Sequence, residues 1–205
     1  MKKVDIITLH RVVNYGSVLQ TYALQEKIKE KGFEVETIDY YPERLHLFGM
    51  LKRLKNKKEI LRKNPIVKFG AQCVIFPSYV QRFSMFKKFL KKYIKMTDKT
   101  YYNKEELEKN IPQADIYCTG SDQVWNSEWN EKIEYPFFLD FVPDDKKRIS
   151  YAASFGKKSL VPEEVEETRR LVNKYQYLSM REISGVDILK KLGRNDGINV
   201  LDPTL

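Results

Sequence analysis

Residues 4–9, "VDIITL", are a short, β-branched apolar run of the kind a buried strand needs. From Ser17 the rhythm changes. Apolar residues fall at Val18, Leu19, Tyr22, Ala23 and Ile28, close to a repeat of about 3.6 residues. Ser17 is placed to cap this helix, and Gly32 to end it after Lys29 and Lys31. "FEVETIDY" (33–40) then alternates apolar and polar as a second strand. Strand, helix and strand at this spacing predict a βαβ unit with parallel strands. The two rhythms return later. "ADIYCTG" (114–120), "KRISYAASFG" (147–156), "YQYLSM" (175–180) and "INVLDPTL" (198–205) begin as strands, the second running into a turn. "PEEVEETRRLVNKY" (162–175) reads as a helix with Pro at its first turn, acids early and arginines late, the order the macrodipole favours. "REISGVDILKKLG" (181–193) reads as a helix closed by Gly193. The expected fold is α/β, a Rossmann-like parallel sheet with helices on both faces, in one domain spanning 1–205.

Charge sharpens this outline. Between Arg44 and Lys104 stand 17 Lys/Arg against only Glu59 and Asp98, an excess of +15, within a chain whose net charge is +9. A mildly acidic α/β frame thus carries one basic insert, 44–104, expected to be helical. Two of its stretches look like helices, "LFGMLKRLKNKKEILRK" (47–63) and "RFSMFKKFLKKYIK" (82–95). In the second, Phe83, Phe86, Leu90, Tyr93 and Ile94 form an apolar stripe, with Lys87, Lys88, Lys91, Lys92 and Lys95 on the other side. Such a face suits nucleic acid, an acidic membrane surface or an anionic glycan carrier, and more often is only solvated. No RNA-recognition signature or helix-turn-helix pattern accompanies it, so no nucleic acid partner is expected.

Other totals exclude whole classes. With 42% hydrophobic residues and 13 Tyr, 11 Phe and 2 Trp, the 205-residue chain can build a substantial core. No apolar stretch is long enough to span a bilayer. "MKKVDIITLH" starts like a leader peptide, but Asp5 and the brevity of the apolar run argue against one. Cys73 and Cys118 have no close pairing in sequence, which fits a reducing, cytoplasmic compartment. With His10 and His46 the only histidines, a His/Cys zinc site is set aside and no metal is expected.

Candidate chemistry gathers at four polar turns that a parallel sheet would bring to the carboxyl ends of its strands. In "HRVVNYGS", His10, Arg11, Asn14, Tyr15 and Gly16 precede a helix whose N-terminus attracts anions; equally, Asn14-Tyr15-Gly16 could simply shape a turn. There is no G-x-G-x-x-G and no P-loop. "TGSDQVWN" offers a hydroxyl, a carboxylate and an amide in Ser121, Asp122 and Gln123, then Trp125 as a flat face for a sugar, or else a cap followed by a core residue. "YAASFG" places Ser154 among small residues where a ligand or a helix could approach. Arg181, expected in the first turn of its helix, opposes the helix dipole and calls for a partner, either Glu182 or an anionic ligand.

Taken together and in order, "ITLHRVVNYGSVLQTYALQEKIKEKGFEVETIDYYP", "GSDQVWN", "FFLDFVPDDKKRISYAASFG", "SMREISGVDILKKLG" and "NVLDPTL" resemble the polysaccharide pyruvyl transferase family. The resemblance implies the N-terminal half of a GT-B-like, two-domain architecture, with the basic residues that hold the donor largely in a second domain after residue 205. It implies transfer of pyruvate from phosphoenolpyruvate, as a ketal, to two hydroxyls of a glycan or lipid-linked sugar in bacterial surface-polysaccharide (exopolysaccharide) biosynthesis. Phosphoenolpyruvate is then a substrate, and no cofactor is implied. Asp122 and His10 become the first candidates for acid–base work. Arg11, Asn14, Tyr15, Gly16, Ser121, Gln123, Trp125, Ser154 and Arg181 become the expected substrate wall. The basic insert would hold the enzyme peripherally at an acidic inner-membrane face, and a lone half-cleft would favour a homo-oligomer. Two alternatives stay open: a GT-B glycosyltransferase using a nucleotide-sugar, and a truncated, non-catalytic glycan-binding module.

Overall fold

The structure, a computed structural model, describes residues 1–46 and 65–205, with side chains of the second segment described from Pro77 onward, Tyr79 excepted. Five strands form one parallel sheet in the order β3–β2–β1–β4–β5. They are β1 (Lys3–Ile7), β2 (Glu34–Tyr40), β3 (Met96–Tyr101), β4 (Ile116–Thr119) and β5 (Lys147–Ser150). Helix α1 (Tyr15–Glu30) carries the chain from β1 to β2, the βαβ unit that the alternation predicts. In the register of the central strands Val4 stands opposite both Val35 and Ile116.

Side chains of a strand alternate between faces, so the sheet feeds two cores. On one face Val4, Ile6, Val35 and Cys118 pack against Leu24 of α1. Outside α1 lies helix α2 (Pro65–Tyr93), which passes through Pro77 and packs Phe86 and Leu90, with Ile94 just beyond it, onto Val18. On the other face Ile7, Ile38 and Tyr117 join the larger core, with Leu107 of α3 (Lys104–Lys109), Phe137 and Phe138 of a 3₁₀ turn (Tyr135–Phe138), and Leu171 of α5 (Pro162–Val172). Between α3 and α5 lies the single turn α4 (Ser127–Asn130). Beyond β5 follow strand β6 (Ser179–Met180), helix α6 (Ile183–Lys191) and strand β7 (Ile198–Asn199). β6 and β7 pair in parallel, and bridges Ile149↔Tyr177 and Ala153↔Met180 attach them to the edge at β5.

Several details depart from the sequence expectation. α1 is capped by Asn14, whose Oδ1 accepts from the N–H groups of Gly16 and Ser17; Ser17 itself is buried and its hydroxyl is used elsewhere. "MTDKTY" is a strand, β3, which pairs with β2 at the sheet edge. Residues 96–101 therefore belong to the frame rather than to a helical insert. The helix expected over 82–95 is the second half of α2, whereas the one expected over 47–63 lies outside the described residues. β5 ends at Ser150, because Ala152 takes a left-handed backbone (φ 51°) and turns the chain. α6 starts at Ile183, with Glu182 at the cap position, so Arg181 precedes the helix and does not oppose its dipole from within the first turn. Among the described residues no helix is long and apolar enough to cross a membrane.

Candidate functional site

The strand order reverses between β1 and β4: from β1 the sheet continues to β2 and β3, from β4 to β5. At such a switch point the loops leaving the two strands diverge to opposite faces and open a crevice. A cavity of about 340 Å³ lies there. Leu9, Val12, Asn14, Gly16, Ser17 and Gln20 reach it from the β1–α1 turn and the start of α1. Asp122 and Gln123 come from the turn after β4, Trp129 from α4, Arg181 from the turn after β6, and Asp202 and Thr204 from beyond β7.

Asp122 anchors the centre. Its backbone is left-handed (φ 87°), a region that Asp and Asn visit more readily than other residues with a Cβ. The turn holds because its carbonyl accepts from Val124 N at 2.8 Å and from Ser154 N at 3.1 Å. One carboxylate oxygen accepts the Ser17 hydroxyl at 2.5 Å, and the other accepts Gln123 N at 2.8 Å. Arg181 Nη1 lies 3.9 Å from Asp122 and 3.5 Å from Asp202, while its Nε donates to Glu182 at 3.1 Å. The partner that this arginine required is thus a set of three carboxylates. Asp202 accepts from Ser121 Oγ at 2.7 Å and from the N–H and hydroxyl of Thr204. Burial works against its charge, but those hydrogen bonds and the nearby guanidinium hold it below the usual carboxylate value. Beneath them, Thr8 Oγ1 donates to Ser121 O at 2.8 Å and accepts from Gln20 Nε2 at 2.9 Å, tying the β1 turn to the β4 turn.

Of the residues expected from sequence, Asn14, Gly16, Asp122, Gln123 and Arg181 line this cavity. The others have different surroundings. His10 is fully buried, with Nδ1 3.1 Å from Thr8 O and Nε2 3.1 Å from the Asp39 carboxylate, and does not line the cavity. Arg11 forms a two-pronged pair with Asp39 and lies 4.9 Å from the centroid of the Tyr41 ring, outside the cavity. Burial alone would raise the Asp39 carboxyl, but hydrogen bonds from His10 and Arg11 hold it well below the ordinary range. Tyr15 is 64% exposed and leans on Phe86, ring centroids 5.0 Å apart. Ser121 is buried and acts through Asp202. Ser154 is buried too, donating to Glu182 at 2.9 Å and accepting from Gly156 N. Trp125 is core, 2% exposed, stacked on Phe138 at 5.0 Å and 8°, with its N–H donated to Phe137 O. It has no free face for a sugar.

A family model described as Polysaccharide pyruvyl transferase matches residues 14–205. The chain belongs to the polysaccharide pyruvyl transferase family. No curated protein and no solved structure matches it. The pyruvyl transferase match starts at Asn14, so it takes in every cavity residue except Leu9 and Val12, and leaves His10 and Arg11 outside. Ser17, Gln20, Asp202 and Thr204 are cavity residues that sequence reasoning did not place in the site. For Asp202 the signal was "DPT", an Asp whose side chain accepts from the N–H two residues on.

Proposed function

We propose that this family member transfers pyruvate from phosphoenolpyruvate to two hydroxyls of a sugar, forming a ketal and releasing phosphate, in surface-polysaccharide synthesis. What supports the reading, beyond family membership, is the pairing of Asp122 with Arg181 inside the crevice. The reaction needs both kinds of group. A sugar hydroxyl adds to the carbon bearing the phosphate while the methylene carbon gains a proton. Phosphate then leaves, and the second hydroxyl closes the ring and gives up its proton. Asp122 is the candidate to accept hydroxyl protons, and Arg181 to meet the phosphate or carboxylate of the donor. The N-terminus of α1, opening on the same cavity at Gly16, adds a favourable dipole for an anion. One guanidinium against Asp122 and Asp202 does not balance phosphoenolpyruvate, so further cations come from outside these lining residues.

The deciding assay is phosphate release from phosphoenolpyruvate by the native protein over a panel of sugar and lipid-linked sugar acceptors. Asp122→Asn keeps both the shape and the tolerance for a left-handed backbone, so its loss of turnover, about a hundredfold or more, would report chemistry. Arg181→Lys should raise KM for phosphoenolpyruvate more than it lowers kcat, because it keeps the charge and loses the fork. Acceptor-dependent turnover of a nucleotide-sugar, without any from phosphoenolpyruvate, would assign the crevice to glycosyl transfer instead.

A further inference from the structure

Away from the crevice, the outer faces of α1 and α2 carry large apolar side chains that nothing among the described residues covers. On α1 they are Tyr15, Leu19 and Tyr22, spaced four and three residues apart and so on one face. Leu19 is 47% exposed and Met85, on α2, 56%. The two helices are sewn together by rings: Tyr15 on Phe86 at 5.0 Å, Tyr22 against Phe89 at 6.3 Å and Tyr93 at 6.1 Å. The result is a strip of two aromatic clusters, Tyr15 with Phe86 and Tyr22 with Phe89 and Tyr93, along which the three tyrosines are exposed and Phe86 is buried.

On α2 the charge that borders this strip has one sign only; on α1 Glu26, four residues past Tyr22, is paired with Lys29 at 2.6 Å. From Pro77 to Lys95 the chain has no acidic residue. Lys87, Lys88, Lys91 and Lys92 are exposed. Among the described residues none of the four has a carboxylate partner, and Lys92 lies 4.9 Å from the centroid of the Tyr93 ring. Lys95, one turn on, behaves differently: it pairs with Glu34 and Glu36 at the sheet edge. Four lysines crowded on two turns, with no carboxylate partner among the described residues, repel one another. A surface of negative charge would relieve that repulsion. Tyrosines with an apolar body and a polar tip, beside long amines, are the side chains that sit at the boundary between lipid tails and headgroups.

We infer that the α1–α2 face docks the protein on a bilayer surface rich in anionic headgroups, with Leu19 and Met85 entering the acyl boundary and Lys88 and Lys92 meeting the phosphates. This does not depend on the pyruvyl-transfer reading. It does place Tyr15, at the contact face, beside Asn14 and Gly16, at the mouth of the crevice.

The test is co-flotation with vesicles of phosphatidylcholine alone and of phosphatidylcholine with about one-third phosphatidylglycerol, at low and high salt. Binding should require the anionic lipid and weaken as salt rises. Each lysine near such a surface is worth roughly fivefold in partitioning, so Lys88→Glu with Lys92→Glu should cost more than about twentyfold. Leu19→Ser with Met85→Ser should weaken binding at unchanged charge. All four positions are exposed, so unaltered far-UV spectra and melting are expected. Equal binding to both vesicles, or none to either, would overturn the inference. So would a native dimer that Leu19→Ser splits while vesicles stay unbound, because the strip would then belong to a second copy of the chain.

Discussion

Asp5 and Asp39 stand on neighbouring strands and respond to pH in opposite senses. Asp5 is fully buried on β1, and among the described residues neither carboxylate oxygen has a hydrogen-bond partner; Lys3 Nζ lies 3.4 Å away. Burial pushes its carboxyl up to about 7, with Lys3 pulling the other way and Glu36 adding to the rise. Between an unfolded value of about 4 and this folded one, the native state holds a proton that the unfolded chain has released. Asp5 therefore subtracts from stability progressively as pH rises through that window. Asp39 does the reverse. Its contribution is present above the unfolded value and is lost as pH falls below it, and so is that of Asp140, which burial opposes but which Lys104, Lys174 and Arg170 hold ionised. Stability should peak in mildly acidic buffer. Asp5→Asn should raise the melting temperature at pH 8 by about 5–10 °C, from roughly 2–4 kcal/mol, and change it little at pH 4. An equal gain at both pH values would mean that packing, not charge, is responsible.

At the scale of elements, Asn14 holds the start of α1 and also lines the crevice, which couples helix stability to the site. Asn14→Ala should cost about 1 kcal/mol in urea unfolding. A neutral effect would show that neighbouring contacts, rather than the cap, fix the helix start. The β1–α1–β2 unit was legible from its pattern because its strands are buried and its helix has one packed face. β3 was not, because an edge strand packs only part of itself: Thr97 and Thr100 are half-buried, Asp98 and Lys99 exposed, and only Tyr101 is enclosed. Nothing in "MTDKTY" carries the apolar period that marks its inner neighbours. The shift of α6 to Ile183 was invisible for a different reason. Arg181 donates to the adjacent Glu182, but its Nη1 also lies near Asp122 and Asp202, which are far from it in sequence.

The whole molecule makes the site by convergence. Turns after β1, β4, β6 and β7 supply its residues, so the chain must run from β1 through β7 before Asp202 reaches Arg181. Local pattern found the turns, since each follows a strand, and it found Asp122 because a carboxylate in a tight polar run is conspicuous. It could not tell a residue that faces the crevice from one that faces the core. Trp125 and Ser154 lie next in sequence to polar turns, yet both are buried, Trp125 stacked on Phe138 and Ser154 donating to Glu182. His10 is a similar case: its ring turns to Asp39, a strand apart, and not into the crevice.

Cys118 lies on β4, between β1 and β5, beneath Leu24 of α1. Burial pushes its thiol up to about 12, so in the folded protein it is neither ionised nor reachable. A thiol so placed is a clock. In a Cys73→Ser background, the rate at which a maleimide captures Cys118 counts how often the middle of the sheet opens to solvent. Reaction as slow as global unfolding is expected, and a faster one would reveal that α1 lifts from the sheet on its own.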